Sequence, residues 1–191
     1  EYGRLVYQDE FGLADLPLPR LPGRHQYGNA AAAIRAVKAA GFAISDQALE
    51  AGLSRVEWPG RLQRLTDGLL ARLAPGGSEI WVDGGHNPGA GQVIAETMAN
   101  YEEREPRPLF LVTGMINTKD PVGYFDPFRG LAERVFTVPI RGSDAGLDPV
   151  SLADDAARAG IEAEPLSSVA EALAAIGRIT EEDSVPPRIL I

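Results

Sequence analysis

From about residue 76 onward, short apolar runs of strand character alternate with longer segments that have the spacing of amphipathic helices. The predicted strands are 79–83, 109–113, 134–138, 162–165 and 188–191, and the predicted helices are 89–103, 121–132, 149–159 and 168–179. Strands separated by helices of this length favour a mostly parallel sheet with helices on both faces. The sequence therefore predicts an α/β fold for this part of the chain.

The part before residue 75 has a different pattern. It predicts strands at 4–7, 13–18 and 62–65 and helices at 29–40 and 46–55. Asn29 and Ser45 are good N-cap residues for these helices, and Gly41 suits the position just after the first. These few elements make a small core, so we expect residues 1–74 to be the tail end of a larger α/β domain, followed by a linker at 73–78. The last predicted strand ends at Ile191, so we also expect the chain to be a piece of a longer protein.

The composition narrows the class of protein. The 191 residues are 45% hydrophobic and 24% charged, which is typical of a soluble globular protein. No apolar run approaches the ~18 residues of a membrane span, and the absence of cysteine excludes disulfides and thiol catalysis. The net charge of −9 disfavours nucleic acid as a partner, because binding to phosphates needs Lys and Arg.

The charge is unevenly distributed along the chain. Residues 1–75 hold 9 basic and 8 acidic side chains, whereas residues 76–191 hold 9 and 19. Such a difference between the two parts indicates two units with different roles. We expect an anionic ligand to bind at the first unit or at the junction rather than on the acidic second unit.

A polar turn follows the first strand of the alternating region. The sequence from Asp83 to Pro88 is Asp-Gly-Gly-His-Asn-Pro, and helix-forming residues come next. Open α/β sheets bind ligands at the carboxyl ends of their strands, where Asp83 and His86 are expected. Pro88 suits the first turn of a helix, because its missing N–H would have no partner there. The turn is a candidate ligand site, although an ordinary strand-to-helix turn with an incidental histidine explains the same residues.

Other chemical motifs fail when their spacing is tested. The tripeptide at 89–91 begins like a dinucleotide fingerprint, but Ile94 occupies the place of the third glycine. The chain has no Gly-x-x-x-x-Gly-Lys-Ser/Thr phosphate loop. Neither His25 nor His86 has a partner at metal-ligand spacing. The residues by themselves indicate a ligand site at a domain junction.

Three separated segments resemble the folylpolyglutamate synthase/dihydrofolate synthase family, which is related to the Mur peptide ligases. They are Leu-Pro-Gly-Arg-His-Gln at 21–26 with Asn-Ala-Ala at 29–31, Trp-Pro-Gly-Arg-Leu-Gln at 58–63, and Val-Asp-Gly-Gly-His-Asn-Pro at 82–88. Gly85 is a departure, since the family usually has Ala there. The resemblance implies that residues 1–74 are the end of the central ATPase domain. It implies that residues 75–191 are most of the Rossmann-like C-terminal glutamate-ligase domain.

The resemblance also implies a reaction and roles for single residues. The family uses ATP and Mg²⁺ to phosphorylate a pteroate or folate carboxylate, and the amine of L-glutamate then attacks the acyl phosphate. ATP contacts are implied for Asn29, Arg61 and Asp83, and glutamate contacts for Asp83 and His86, which would be the catalytic residues. Arg61 and His86 are expected on facing walls of a cleft between the domains.

The family's phosphate loop and magnesium ligands have no counterpart in this chain. No metal ligand is therefore assigned here, and the chain alone is expected to be inactive. Two other functions stay open: a non-catalytic nucleotide- or amino-acid-binding α/β module, and a fragment of a Mur-type cell-wall peptide ligase. The expected partners are small molecules (ATP, L-glutamate, pteroate or folate) rather than nucleic acid or a membrane, and we expect a cytoplasmic monomer. The residues do not distinguish a dihydrofolate synthase from a folylpolyglutamate synthase or a bifunctional enzyme.

Overall fold

The computed structural model describes residues 3–10 and 12–191. The chain forms two compact units, Glu1–Pro59 and Gly60–Ile191. The sequence predicts the division after residue 74, whereas the structure has it after Pro59. The reason is a short strand, Gln63–Leu65, which pairs with Glu79–Val82 and so joins the sheet of the second unit.

The first unit contains a hairpin and two helices. Its elements are β1 (Arg4–Asp9), β2 (Gly12–Pro17), α1 (His25–Ala39) and α2 (Asp46–Arg55). The two strands are antiparallel, and a small buried cluster of Tyr7, Leu16 and Ile34 forms the core. The predicted hairpin and both predicted helices are confirmed in kind.

Two of the three predicted helix ends in this unit are confirmed. The Ser45 Oγ accepts a hydrogen bond from the Ala48 N–H at 3.2 Å, as expected of an N-cap. Gly41 follows α1 with φ +81°, as a glycine after a helix often does. The prediction of Asn29 as an N-cap is wrong. A turn closed by the Gln26 N–H and the Gly23 carbonyl starts α1 four residues earlier, so Asn29 lies inside the helix.

The second unit is built on a six-stranded sheet. Its strands are β3 (Gln63–Leu65), β4 (Glu79–Val82), β5 (Leu109–Thr113), β6 (Ala132–Thr137), β7 (Ala163–Pro165) and β8 (Arg188–Leu190). Their order is β3-β4-β8-β5-β6-β7, and every pairing is parallel except that of β3 with β4. The predicted parallel sheet is confirmed, and the last strand of the chain lies in its interior.

Helices cover both faces of this sheet. They are α3 (Gly68–Leu73), α4 (Pro88–Arg104), α5 (Pro121–Phe125), α6 (Pro149–Arg158) and α7 (Val169–Ile179). Side chains of β5 alternate between the faces: Leu109 and Leu111 pack in the cluster with α4, α5 and α6, whereas Phe110 and Val112 pack in the cluster with α7. This alternation is the period of two that a strand buried on both faces requires.

Two local differences from the sequence prediction have simple causes. The helix predicted for 121–132 ends at Phe125 and continues only as a 3-10 turn, Asp126–Phe128. Pro127 explains this, since it has no N–H to donate and its ring clashes with the preceding turn of an α-helix. Helix α3 is absent from the sequence prediction, because a six-residue element is too short to show helical periodicity. Within residues 3–10 and 12–191, no helix is long and apolar enough to cross a membrane.

Candidate functional site

The candidate site of the second unit lies in the turn between β4 and α4. Since β4 ends at Val82, the turn begins at the carboxyl end of a parallel strand. Asn87 is the N-cap of α4, and its Oδ1 accepts a hydrogen bond from the Ala90 N–H at 3.0 Å. Pro88 occupies the first turn of the helix, as predicted. The segment 83–86, which we call the 83–86 turn, is therefore held by a strand at one end and a capped helix at the other.

Asp83 uses both of its carboxylate oxygens within this unit. Its Oδ1 accepts a hydrogen bond from the Gly85 N–H at 2.6 Å, and its Oδ2 accepts one from the Leu62 N–H at 2.7 Å. Hydrogen bonds to a carboxylate are charge-assisted and are about twice as strong as neutral ones. A carboxylate has about four acceptor positions, so room for further donors remains.

His86 is exposed at the end of the turn. Its Nδ1 lies 2.8 Å from the carbonyl oxygen of Gly84. A carbonyl can only accept, so Nδ1 carries the proton in this contact, and the Nε2 of a neutral ring keeps its lone pair. The turn therefore presents His86 with its ε nitrogen as an acceptor for an N–H group.

The segment 60–62, which we call the 60–62 loop, is tied to this turn. The Gly84 N–H donates to the carbonyl oxygen of Gly60 at 2.8 Å, next to the bond between Leu62 and Asp83. The Gly60 N–H donates to Gln63 Oε1 at 3.1 Å. Arg61 lies between the two anchored residues, and its exposed side chain makes no hydrogen bond or ion pair with any residue that the structure describes. Its guanidinium is thus available to a ligand.

Leu62 has a strained backbone. Its φ is +41°, in the left-handed region that glycine prefers, and it is the one non-glycine residue with positive φ in the described part of the chain. Such a conformation costs on the order of 1–3 kcal/mol and tends to occur at functional sites. The Leu62 side chain is 2% exposed and packs in the cluster that contains Trp81, Ile94 and Tyr124.

Glycines let the elements around the turn approach closely. A Cβ on Gly85 would lie 2.7 Å from Ile94 Cδ1 and 2.8 Å from Asp83 Oδ1, so the family's usual Ala does not fit here without a shift. A Cβ on Gly91 of α4 would lie 2.3 Å from the carbonyl oxygen of Tyr124 in α5. The first turns of α4 and α5 are consequently packed side by side at this edge of the sheet.

Tyr124 packs in the same buried cluster as Leu62 and Ile94. It is buried, and its burial is the main reason why its pKa is raised above the usual value, with the charge of Asp83 as a second cause. Sequence reasoning missed Tyr124, Leu62 and Gln63, although Gln63 belongs to a segment that carries the family resemblance.

The loops after β5 and β6 complete this edge. The Leu147 N–H donates to the Met115 carbonyl at 2.7 Å, and the Asn117 N–H donates to the Ala145 carbonyl at 2.8 Å. Asp120 caps α5 by accepting from the Gly123 N–H at 3.0 Å, which gives it a structural role. Among the residues that the structure describes, no three His, Cys, Asp or Glu side chains are grouped so that they could hold a metal ion.

The predicted site residues are divided between the two units. Arg61, Asp83 and His86 all belong to the second unit, where Asp83 connects the loop that carries Arg61 to the turn that carries His86. The structure thus has Arg61 and His86 in one unit, whereas the sequence predicts them on facing walls of a cleft between the domains. Asn29 lies in the first unit, and its side-chain amide donates to Gln26 Oε1 at 3.0 Å. The ligand contacts assigned to these four residues remain predictions.

Comparison with known proteins identifies the family to which this region is similar. Residues 60–186 match the family described as Mur ligase, glutamate ligase domain. The folylpolyglutamate synthase of Lacticaseibacillus casei is 28% identical over 149 residues, which is 75% of this chain and 32% of that protein. The chain thus spans about a third of the length of this relative.

Solved structures of similar proteins agree with the sequence match. Mycobacterium tuberculosis folylpolyglutamate synthase complexed with ADP superposes with a TM-score of 0.75 and 25% identity, over 94% of this chain and 40% of that one. A bifunctional folylpolyglutamate synthase/dihydrofolate synthase with Mn, AMPPNP and L-glutamate bound has the same fold, with a TM-score of 0.71 and 23% identity, over 96% and 39%. The family match starts at the first residue of the second unit and covers about two thirds of the chain. The chain belongs to the Mur ligase family, through its glutamate ligase domain.

Proposed function

We propose that this chain is the C-terminal part of an ATP-dependent ligase that adds L-glutamate to dihydropteroate, to the γ-carboxylate of folates, or to both. The observation that carries the proposal is the connection, through Asp83, between Arg61 and His86. Arg61 is exposed and bonds to none of the residues that the structure describes, and His86 is exposed with a fixed ring orientation. The similarity to folylpolyglutamate synthases supports the substrate class. Residues 1–74 would be the end of the central ATPase domain of that ligase.

ATP would supply the phosphoryl group that turns the substrate carboxylate into an acyl phosphate, with release of ADP. The amine of glutamate then forms a bond to the acyl carbon, phosphate leaves, and the nitrogen loses a proton. Such a sequence depends mainly on orientation and on stabilisation of charge. Arg61 fits this chemistry because a guanidinium is a permanent cation whose geometry matches phosphate oxygens.

His86 fits the amino acid substrate. With Nδ1–H donating to the Gly84 carbonyl, its Nε2 can accept an N–H from the amino group of the incoming glutamate. Asn29 is assigned to the nucleotide by resemblance alone. The metal ion that accompanies ATP, which we take to be Mg²⁺, finds no cluster of acidic ligands among residues 3–10 and 12–191, so we assign it no ligand in this chain. A cytoplasmic location and a monomeric state belong to the same proposal, and light scattering would test the latter.

The experiment is steady-state kinetics on the complete ligase that contains this chain, with each substrate varied in turn. Loss of a charge-assisted contact in Arg61→Ala should lower kcat/KM for ATP about 10- to 100-fold. The matched control is Arg104→Ala, an exposed arginine at the far end of α4. Equal effects of the two arginine substitutions would remove Arg61 from the nucleotide site.

The second arm concerns glutamate. His86→Ala should raise the KM for glutamate and leave the KM for ATP nearly unchanged, whereas Asn117→Ala, an exposed residue of the neighbouring loop, should change neither. An unchanged glutamate KM and kcat in a folded His86→Ala enzyme would leave His86 as a turn residue only. Dihydropteroate and folate are tested as separate acceptors, which distinguishes the three possible activities.

The 191-residue chain alone should release no phosphate from ATP in the presence of pteroate and glutamate, because it lacks a phosphate loop. Release that is lost on substitution of Arg61 would contradict this. Binding of nucleotide by the complete protein without any turnover would favour the non-catalytic binding module instead.

A further inference from the structure

Leu62 combines a buried side chain with an unfavourable backbone conformation. Its side chain packs among Trp81, Ile94 and Tyr124, and its φ is +41°. The N–H of this strained residue donates to Asp83 Oδ2 at 2.7 Å. The strained residue follows Arg61 directly, and a carboxylate oxygen of Asp83 holds its N–H.

The second oxygen of the Asp83 carboxylate binds the backbone of the 83–86 turn in the same way. It accepts from the Gly85 N–H at 2.6 Å, in the residue that precedes His86 directly. The hydrogen bond from Gly84 N–H to the Gly60 carbonyl lies between these two contacts and closes the arrangement. The backbone next to Arg61 and the backbone next to His86 are thus held by one side chain.

We propose that Asp83 is a positioning residue: it fixes the strained 60–62 loop and the 83–86 turn as one rigid piece, so that Arg61 and His86 are presented together. The family resemblance counts Asp83 among the catalytic residues in contact with substrate. The two backbone hydrogen bonds give Asp83 a positioning role through its neighbours, beside any ligand contact at its remaining acceptor positions. The consequence for catalysis rests on the proposed function, whereas the structural role does not.

The structural role is tested by amide hydrogen exchange, followed by NMR, on the 191-residue chain. In the wild-type chain the Leu62 and Gly85 amides should exchange slowly, although both lie in non-helical segments. In Asp83→Asn one of the two amides must face an N–H₂ group instead of an acceptor, and its exchange should accelerate about tenfold or more. The control Asp144→Asn removes the same charge from an exposed aspartate in the loop after β6 and should change neither amide.

Asp83→Ser separates the two contacts. A serine hydroxyl reaches the N–H two residues ahead but not the neighbouring loop, so Gly85 should stay protected while Leu62 exchanges freely. If Asp83→Asn unfolds the second unit, the exchange rates of the Leu62 and Gly85 amides in Asp83→Ser and in the wild-type chain test the proposal instead. Fast exchange of the Leu62 amide in the wild-type chain, or unchanged exchange of both amides in a folded Asp83→Asn chain, overturns the proposal.

The catalytic consequence is tested by a double-mutant cycle in the complete ligase. Misplacing Arg61 and His86 together should lower kcat/KM about 100-fold in Asp83→Asn. Arg61→Ala should then add much less to Asp83→Asn than it removes from the wild type, because Arg61 is already misplaced. Full multiplication of the two effects would contradict positioning. A ligase without glutamate-adding activity would refute the proposed function and leave the exchange result standing.

Discussion

The six-stranded sheet has charged side chains at both ends of its parallel strands, and they are paired differently at the two ends. We call the end where these strands begin the amino edge and the end where they finish the carboxyl edge. At the amino edge, Arg188 is 2% exposed, and its Nε binds Glu79 Oε2 at 2.9 Å on the neighbouring strand. Arg64 binds the other oxygen of Glu79 at 2.9 Å, and the Arg188 guanidinium lies over the Tyr101 ring. At the carboxyl edge, the Asp83 carboxylate accepts from the backbone N–H groups of Leu62 and Gly85, and the cation beside it, Arg61, faces solvent.

This difference in charge pairing indicates that the amino edge contributes to stability and the carboxyl edge to function. Cations and anions at the amino edge satisfy one another, so little remains there for a ligand to bind. At the carboxyl edge the carboxylate is satisfied by the backbone, which leaves the arginine and the histidine available. The comparison predicts that substitutions at the amino edge reduce the free energy of unfolding, while the exposed side chains of the carboxyl edge affect activity instead.

The largest effect is expected from Arg188→Met. It breaks a buried ion pair and leaves the Glu79 carboxylate with one partner, which should cost about 3–5 kcal/mol of unfolding free energy. Urea unfolding can be followed by Trp81 fluorescence in a Trp58→Phe background, since Trp58 is 63% exposed. Replacing the pair together, as Glu79→Leu with Arg188→Met, should recover most of the loss. Equal losses in the single and double variants would show that the pair itself is not the source of the stability.

A smaller loss is expected at the carboxyl edge from Gly85→Ala. A Cβ there would lie 2.9 Å or less from Ile94, Asp83 and Ala90, and such overpacking should cost about 1–3 kcal/mol. Gly84→Ala is a closely matched control, because its Cβ would meet only the Gly60 carbonyl oxygen at an ordinary 3.7 Å. Unfolding curves of both variants check the prediction, and an equal stability of the two would contradict the tight packing of the turn.

Tyr124 should make stability depend on alkaline pH. Burial raises the pKa of Tyr124 in the folded protein above the unfolded value of about 10. Its contribution to the free energy of unfolding is therefore fully present below pH 10 and is lost as the pH rises further. The loss should reach up to about 1.4 kcal/mol per pH unit. Tyr124→Phe should flatten the decline between pH 10 and 11, measured by urea unfolding. Tyr101→Phe should flatten it less, since nearby arginines oppose the rise of that pKa; a steeper effect there would reverse the comparison.

The smallest effect on stability is expected from Arg61→Ala. Its side chain is exposed and has no partner within residues 3–10 and 12–191, so the unfolding free energy should change by no more than about 0.5 kcal/mol. Arg107→Ala is the counterpart at the amino edge, where the side chain is 16% exposed and donates to the carbonyls of Gly77 and Pro186. It should cost about 1.5–3 kcal/mol. Thermal and urea unfolding of the pair test the separation of stability from function directly.

The parallel sheet could be predicted because its signals are local. Strand β5 was predicted with the bounds that the structure has, since five consecutive apolar residues before a helical segment leave few alternatives. The N-cap role of Ser45 and the place of Pro88 follow from single-residue chemistry in the same way. The start of α1 was missed because a turn at Gly23, and not the better capping residue Asn29, begins the helix.

The sequence pattern does not predict the strand order β4-β8-β5 or the pairing of β3 with β4. Pairing between strands is a contact between distant residues, and a three-residue strand carries no sign of its partner. The same limit explains why the sequence predicts a division after residue 74, whereas the structure divides the chain after Pro59 and has Arg61 in the second unit.

The sequence by itself determined the α/β alternation and the presence of a polar turn at Asp83–Pro88, and through resemblance it predicts ligand contacts for Asp83 and His86 there. Periodicity and capping are properties of neighbouring residues, and they survive without any knowledge of the fold. Only the tertiary structure decided what Asp83 does. Its carboxylate meets the N–H of Leu62, twenty-one positions earlier, because two strands pair and bring the loop beside the turn. The left-handed Leu62 could not be foreseen either, since a leucine adopts that conformation only when distant groups hold it there.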